Sequence, residues 1–67
     1  MDASGRHLLF VPTPHGYELE QRDGPPPDVG ESVETRHGGG YVVSKLGPSP
    51  LPGDARRCAY LQHAVGP

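Results

Sequence analysis

The chain has 67 residues with 6 basic and 8 acidic side chains, a net charge of −2. A chain this short allows one domain, because it buries only about 60% of the surface it exposes when unfolded. The charge offers no field to draw in a phosphate backbone, which disfavours general nucleic-acid binding.

Cys58 is the only cysteine, and Trp and Ile are both absent. An internal disulfide is therefore excluded and the core is small, so association with a second copy or another protein becomes the natural way to cover apolar surface. A lone thiol behind a polar start, Met1 to Arg6, points to a reducing, cytoplasmic compartment. The apolar run Leu8-Leu9-Phe10-Val11 is too short to be a membrane span. The absence of Asn and Ile beside plentiful Gly, Pro, Ala and Arg matches the usage of GC-rich bacterial genomes. The 10 Gly and 9 Pro raise the question of disorder. The apolar residues nevertheless fall into runs, which favours one folded domain over residues 1–67 with an ordered core over about residues 7–62.

Met1 to Arg6 reads as a frayed end. Leu8 to Val11 is the first strand, stopped by Pro12, and Pro12-Thr13-Pro14-His15-Gly16 is a turn. The return strand runs from Tyr17 to Arg22, with Tyr17, Leu19 and Gln21 on one face and Glu18, Glu20 and Arg22 on the other. That alternation predicts a strand whose charged face is wet. Asp23-Gly24 closes it, and the stiff Pro25-Pro26-Pro27 carries the chain across one end.

Glu31 to Arg36 is the third strand, anchored by Val33. Gly38-Gly39-Gly40 then breaks the chain into a hairpin, since Gly supplies the positive φ of a tight reversal. Tyr41 to Leu46 is the strongest strand, although either Tyr41 and Val43 or Val42 and Leu46 can be its core-facing set. Gly47 to Asp54 is too rich in Pro for regular structure and forms a loop. Arg57 to Leu61 gives a fifth strand and Gln62 to Pro67 a tail. The sequence shows neither a repeat nor an amphipathic helix.

Five short strands in a meander, with a glycine-led third strand and a Tyr-x-Val strand after a glycine break, resemble the SH3-like small barrels over about Leu8 to Leu61. The resemblance implies an all-β, five-stranded barrel with Pro- and Gly-rich loops, and a binding role more than catalysis. The paired aromatic and acidic loop motif of the peptide-binding SH3 groove is missing, so its site residues do not carry over.

Candidate sites are few. His7, His15, His37 and His63 lie singly, without the spacing that lets one local element chelate zinc, and read as three solvated loop histidines and a terminal one. No metal or other cofactor is expected. Cys58, although beside Arg57, reads as a buried, inert thiol. Ser44, Ser49, His37 and Asp54 supply the residue types of a hydrolytic triad without its context, so no enzyme activity is expected. Gly38-Gly39-Gly40 lacks the helix and the Lys-Ser/Thr pair of a phosphate loop.

Pro48-Ser49-Pro50-Leu51-Pro52 is the most suggestive surface feature. Pro48, Pro50, Leu51 and Pro52 form a preshaped protein-binding element, or else Leu51 closes the core as a lid. The expected function is a small bacterial, non-catalytic binding or assembly module whose partner is another protein or a second copy. The alternative is a weak nucleic-acid binder in which Lys45, Arg56 and Arg57, with Arg36 nearby, hold phosphates while Tyr60 or Tyr41 stacks a base.

Overall fold

Two stretches, Leu8-Leu9-Phe10-Val11 and Cys58-Ala59-Tyr60-Leu61, are apolar without alternation. A strand of this kind has no wet face and belongs where both sides of a sheet are covered. In the computed structural model, which describes residues 5–64, they form β1 (Arg6–Thr13) and β5 (Arg57–His63). The other strands are β2 (Gly16–Asp23), β3 (Ser32–Thr35) and β4 (Gly38–Pro48). All five join in one sheet of order β2-β1-β5-β4-β3, which puts the two apolar strands inside it and the charged β2 and short β3 at its edges. Edges suit such strands, because charge and brevity both discourage pairing with another chain.

This order is not the meander expected from sequence. β5 inserts between the two hairpins and runs parallel to β1, from His7↔Arg57 to Phe10↔Tyr60, a pairing that departs from an SH3-like arrangement. The observed fold is an all-β, five-stranded mixed sheet strongly curled into a half-barrel. Residues 24–31, stiffened by Pro25-Pro26-Pro27, take the chain from one edge of the sheet to the other.

The inner face holds Leu9, Val11, Tyr41, Val43, Ala59 and Leu61, with Val33 and Leu46 packed against them. Each full burial of a large apolar side chain contributes about 1.5–3 kcal/mol. Of the β4 candidates, Tyr41 and Val43 belong to this core and Leu46 packs against it, whereas Val42 does not, because the register shifts between Val43 and Lys45. The extra residue, Ser44, donates its hydroxyl to the Tyr60 carbonyl at 3.0 Å. The bulge inverts the inside-outside parity, so Leu46 joins Tyr41 and Val43 on one side.

The expected wet face of β2 is the inward one. Register pairs Leu9 with Glu20, Val11 with Glu18 and His7 with Arg22, so these charged side chains point the same way as the core residues of β1. Glu20 is 8% exposed, whereas Tyr17 on the opposite face is 53% exposed. The reason lies across the open side of the half-barrel, where β2 faces β3 and the Arg36-His37 turn without any ladder hydrogen bond. Glu20 accepts from the backbone N–H of Arg36 at 3.0 Å, and Arg22 donates to the Glu34 carbonyl at 2.8 Å. Glu34 is the residue at which β3 slips register against β4.

Several boundaries also differ. Pro12 lies within β1, beyond Phe10 where pairing with β5 ends, so its missing N–H interrupts no ladder on that side. Gly38-Gly39-Gly40 begins β4 and does not break it, because the reversal is made by Arg36 and His37. The β4–β5 loop spans 49–56, later than expected, with Gly47 and Pro48 still in the strand. Arg6 opens β1, and Gln62 and His63 extend β5. The rest of the expected frayed start and tail, residues 1–4 and 65–67, lies outside the described residues.

Candidate functional site

The two hairpins turn on the same pattern, Thr13-Pro14-His15-Gly16 and Thr35-Arg36-His37-Gly38, a short repeat that the sequence reading missed. In each, Thr pairs in register with Gly, and the Thr hydroxyl accepts from the His backbone N–H, at 3.3 Å for Thr13 and 3.0 Å for Thr35. Gly16 and Gly38 take positive φ, 138° and 110°, a conformation that costs a side-chain-bearing residue steric energy. The second turn carries one bond more, because the Thr35 hydroxyl also donates to the Gly38 carbonyl at 3.1 Å.

Strand directions bring both turns and the last residues of β5 to one end of the half-barrel, with the connections 24–31 and 49–56 at the other. At the turn end is an open cleft of about 680 Å³. Pro12, Pro14, Tyr17, Tyr41 and His63 line it, the Tyr41 and His63 rings 4.8 Å apart. His15 and His37 stand at its rim on the two matching turns. His37 Nε2 donates to Glu18 at 2.7 Å, and Arg36 lies 3.5 Å from the same carboxylate. The hydrogen bond from His37 holds the Glu18 carboxyl below its usual range.

Three of the four histidines thus line one cleft, although sequence scattered them. They do not form a metal centre as they stand: among the described residues no group of three or more His, Cys, Asp or Glu is arranged to hold a metal ion. His7 is not a solvated loop residue. It is 5% exposed in β1, and its Nδ1 donates to the Gly24 carbonyl at 2.8 Å.

The outer face of the sheet carries a second feature. Tyr17 stacks on Phe10 at 4.4 Å, Phe10 meets Tyr60 at 5.2 Å, and Lys45 sits 4.9 Å from the Tyr60 ring centre. These four residues form a row across β2, β1, β5 and β4. Beneath it Cys58 is fully buried, and that burial raises its thiol pKa. Burial likewise raises the pKa of Tyr60, whose hydroxyl donates to the Pro48 carbonyl at 2.7 Å.

The other sequence candidates divide. Pro48, Pro50, Leu51 and Pro52 are all exposed, and Leu51, 42% exposed, is not among the buried core residues. The loop that presents it is braced. Ser49 Oγ accepts from the Leu51 N–H and donates to Asp54, each at 3.0 Å. Asp54 N–H donates to the Leu51 carbonyl at 3.3 Å around Gly53 at φ 73°. Arg56 grips the Asp54 carboxylate through Nε and Nη2 and reaches Gln21. These bonds from Arg56 hold the Asp54 carboxyl far below its usual range and raise the guanidinium in turn.

Of the cations expected in a patch, two are held by carboxylates. Arg36 is engaged by Glu18 and Glu20, and Arg56 by Asp54, leaving Lys45 beside Tyr60 and Arg57 exposed at the start of β5. The triad residue types are apart, with Ser49 and Asp54 at the loop end and His37 at the cleft end. No protein-family model matches the chain, and no curated protein and no solved structure matches it.

Proposed function

We propose that the protein is a small bacterial, cytoplasmic binding module that acts without turnover, through contacts with other proteins. The turn-end cleft is the receptor surface of this reading. The observation that carries it is the pairing of two Thr-x-His-Gly turns with a cleft lined by Pro12, Pro14, Tyr17, Tyr41 and His63. Aromatic rings and prolines set on short, hydrogen-bonded turns give a surface that loses little entropy on binding, and aromatic-walled clefts favour extended segments rich in Pro and aliphatic side chains. A small, curled five-stranded sheet resembles the SH3-like barrels, which serve among other roles as peptide-binding modules, although the parallel β1–β5 pairing departs from theirs.

Titration of the isotopically labelled protein with proline-rich peptides tests it. The expected result is saturable shifts at His15, Tyr17, His37 and His63, with Tyr17→Ala and His63→Ala each weakening binding about tenfold, as removal of an aromatic anchor does. Shifts confined to other surfaces would remove the cleft from the reading.

The nucleic-acid alternative draws on a different observation, the row Tyr17, Phe10, Tyr60 and Lys45 on the outer face. Stacked bases on such a row would be held by few cations, and affinity for single-stranded DNA would fall steeply with salt. Peptide binding in the cleft would respond weakly.

A further inference from the structure

We infer that the loop end of the half-barrel holds a second binding site, which takes a small 2-hydroxy carboxylate through His7 and Arg22. It lies at the far end of the sheet from the turn-end cleft, so it is independent of the protein-binding reading. A pocket of about 350 Å³ opens there between the start of β1, the end of β2 and the start of β3, at the small end of the range that ligand sites occupy. Leu9, Pro27 and Val33 give it apolar walls, and His7, Arg22 and Ser32 bring polar side chains to it.

His7 is the group that the fold uses only by half. It is 5% exposed, and one of its ring nitrogens, Nδ1, is engaged by the Gly24 carbonyl at 2.8 Å. A carbonyl oxygen can only accept, so Nδ1 carries the proton, and the neutral imidazole then presents Nε2 as a bare acceptor. Among the described residues nothing meets Nε2, and no enclosed side-chain polar atom lacks a partner, so Nε2 is reached from the pocket that His7 lines. A histidine enclosed to this degree, with one nitrogen fixed and the other open, is positioned to receive a donor.

Arg22 supplies the complementary charge. It pairs in register with His7, so the two side chains leave the sheet on the same face with their Cβ atoms about 5 Å apart. Both of its hydrogen bonds, to Glu20 and to the Glu34 carbonyl, are made by Nη2, and its Nε and Nη1 have no partner among the described residues. A guanidinium edge of this kind fits the two oxygens of a carboxylate. The two acidic residues along the pocket turn their carboxylates elsewhere. Asp23 points to Arg6 at 3.8 Å with its side chain 95% exposed, and Glu34 lies beside Gly39, where a Cβ would meet its Cγ at 3.6 Å. Arg57, the register partner of His7 on β5, adds a further cation beside it. The pocket therefore favours an anion. A ligand that satisfies both groups has a carboxylate for Arg22 and, on the next carbon, a hydroxyl that donates to Nε2, while a short alkyl chain packs on Leu9 and Val33.

Titration of the full, isotopically labelled chain with 2-hydroxybutyrate, butyrate and 2-butanol tests the inference at mildly alkaline pH, where a neutral imidazole keeps its acceptor. The ligand changes and the fold does not. The expected result is saturable shifts at His7, Arg22 and Ser32 with 2-hydroxybutyrate, including a shift of the His7 Nε2 resonance as it gains a donor. Butyrate, which lacks the hydroxyl, should bind about tenfold more weakly, and 2-butanol, which lacks the carboxylate, should not saturate. Arg22→Gln should weaken 2-hydroxybutyrate about tenfold or more, its melting temperature showing that it folds. Where it does not fold, the three ligands decide on the wild-type chain alone.

Absence of saturation by 2-hydroxybutyrate overturns the inference. Equal affinity for butyrate overturns it as well, since Nε2 would then take no part in the contact. Shifts at His15, His37 and His63 with none at His7 would place the acid in the turn-end cleft and overturn it equally.

Discussion

Glu20 on β2 and Arg36 in the β3–β4 turn are joined by a 3.0 Å hydrogen bond from the Arg36 backbone N–H to a carboxylate that is 7% exposed. This contact spans the seam between the two edge strands, where the sheet provides no ladder of its own. The second carboxylate oxygen of Glu20 accepts from Arg22 at 2.8 Å, and Arg22 in turn reaches the Glu34 carbonyl. Side chains of β2 therefore do at the open side of the half-barrel what backbone groups do elsewhere.

Removing the carboxylate should loosen that closure. Glu20→Ala leaves the Arg36 N–H without its acceptor and Arg22 without one of its two partners, and a loss of about 1–3 kcal/mol is expected from a part-buried group left unsatisfied. Urea or thermal denaturation measures it. A Glu20→Ala protein that melts with wild type would show that the seam contributes nothing to stability.

Much of the element pattern was legible in the sequence, because short apolar runs such as Leu8 to Val11 and Tyr41 to Leu46, bounded by Pro and Gly, read as strands. The order of those strands was not, since which hairpin edge accepts β5 depends on long-range pairing that leaves no local signal. The inward turn of Glu18, Glu20 and Arg22 was hidden for a related reason: alternation shows that two faces exist and not which one is covered. Leu46 could not be placed because the bulge at Ser44 breaks the period of two. The cleft itself had a readable sign, the recurrence of Thr-x-His-Gly at two turns, since Thr, a polar side chain able to bond its own backbone, and Gly at the close are what such a turn uses.

The two turns should differ in their tolerance of change. The Thr35 hydroxyl is buried and makes two hydrogen bonds, whereas that of Thr13 makes one longer bond in a more exposed turn. Thr35→Val is expected to cost about 1–2 kcal/mol and Thr13→Val about 0.5 kcal/mol or less. Equal melting temperatures for the two variants would contradict this assignment of the hydroxyls.

Acid should weaken the fold through identifiable groups. Hydrogen bonds from His37 and from Arg56 hold the carboxyls of Glu18 and Asp54 below their usual values. A group whose folded pKa is depressed contributes stability that is complete above its unfolded pKa and is lost as pH falls through the folded one. Melting temperature should therefore begin to drop as pH enters the ordinary carboxylate range and keep falling below it. Asp54→Asn should flatten this acid limb more than Glu18→Gln, because the Asp54 shift is the larger. An acid limb unchanged in both variants would assign it to other carboxylates.

The burial of Cys58 carries a kinetic consequence. Its thiol is fully enclosed and its pKa is raised, so native protein should react slowly with a disulfide reagent and denatured protein quickly. Labelling that tracks global unfolding in urea is the expected outcome, whereas fast native labelling would mean that the outer face opens locally around Tyr60.

Leu51 and Leu9 separate binding from folding most directly. Leu9 is 1% exposed in the inner core, and Leu9→Ala should cost about 2–5 kcal/mol through lost burial and the cavity left behind. Leu51 is 42% exposed and lies outside the buried core, so Leu51→Ser should stay within about 0.5 kcal/mol of wild type. A Leu51→Ser protein destabilised by as much as Leu9→Ala would make Leu51 a lid on the core, and thermal melts of the two variants side by side decide it.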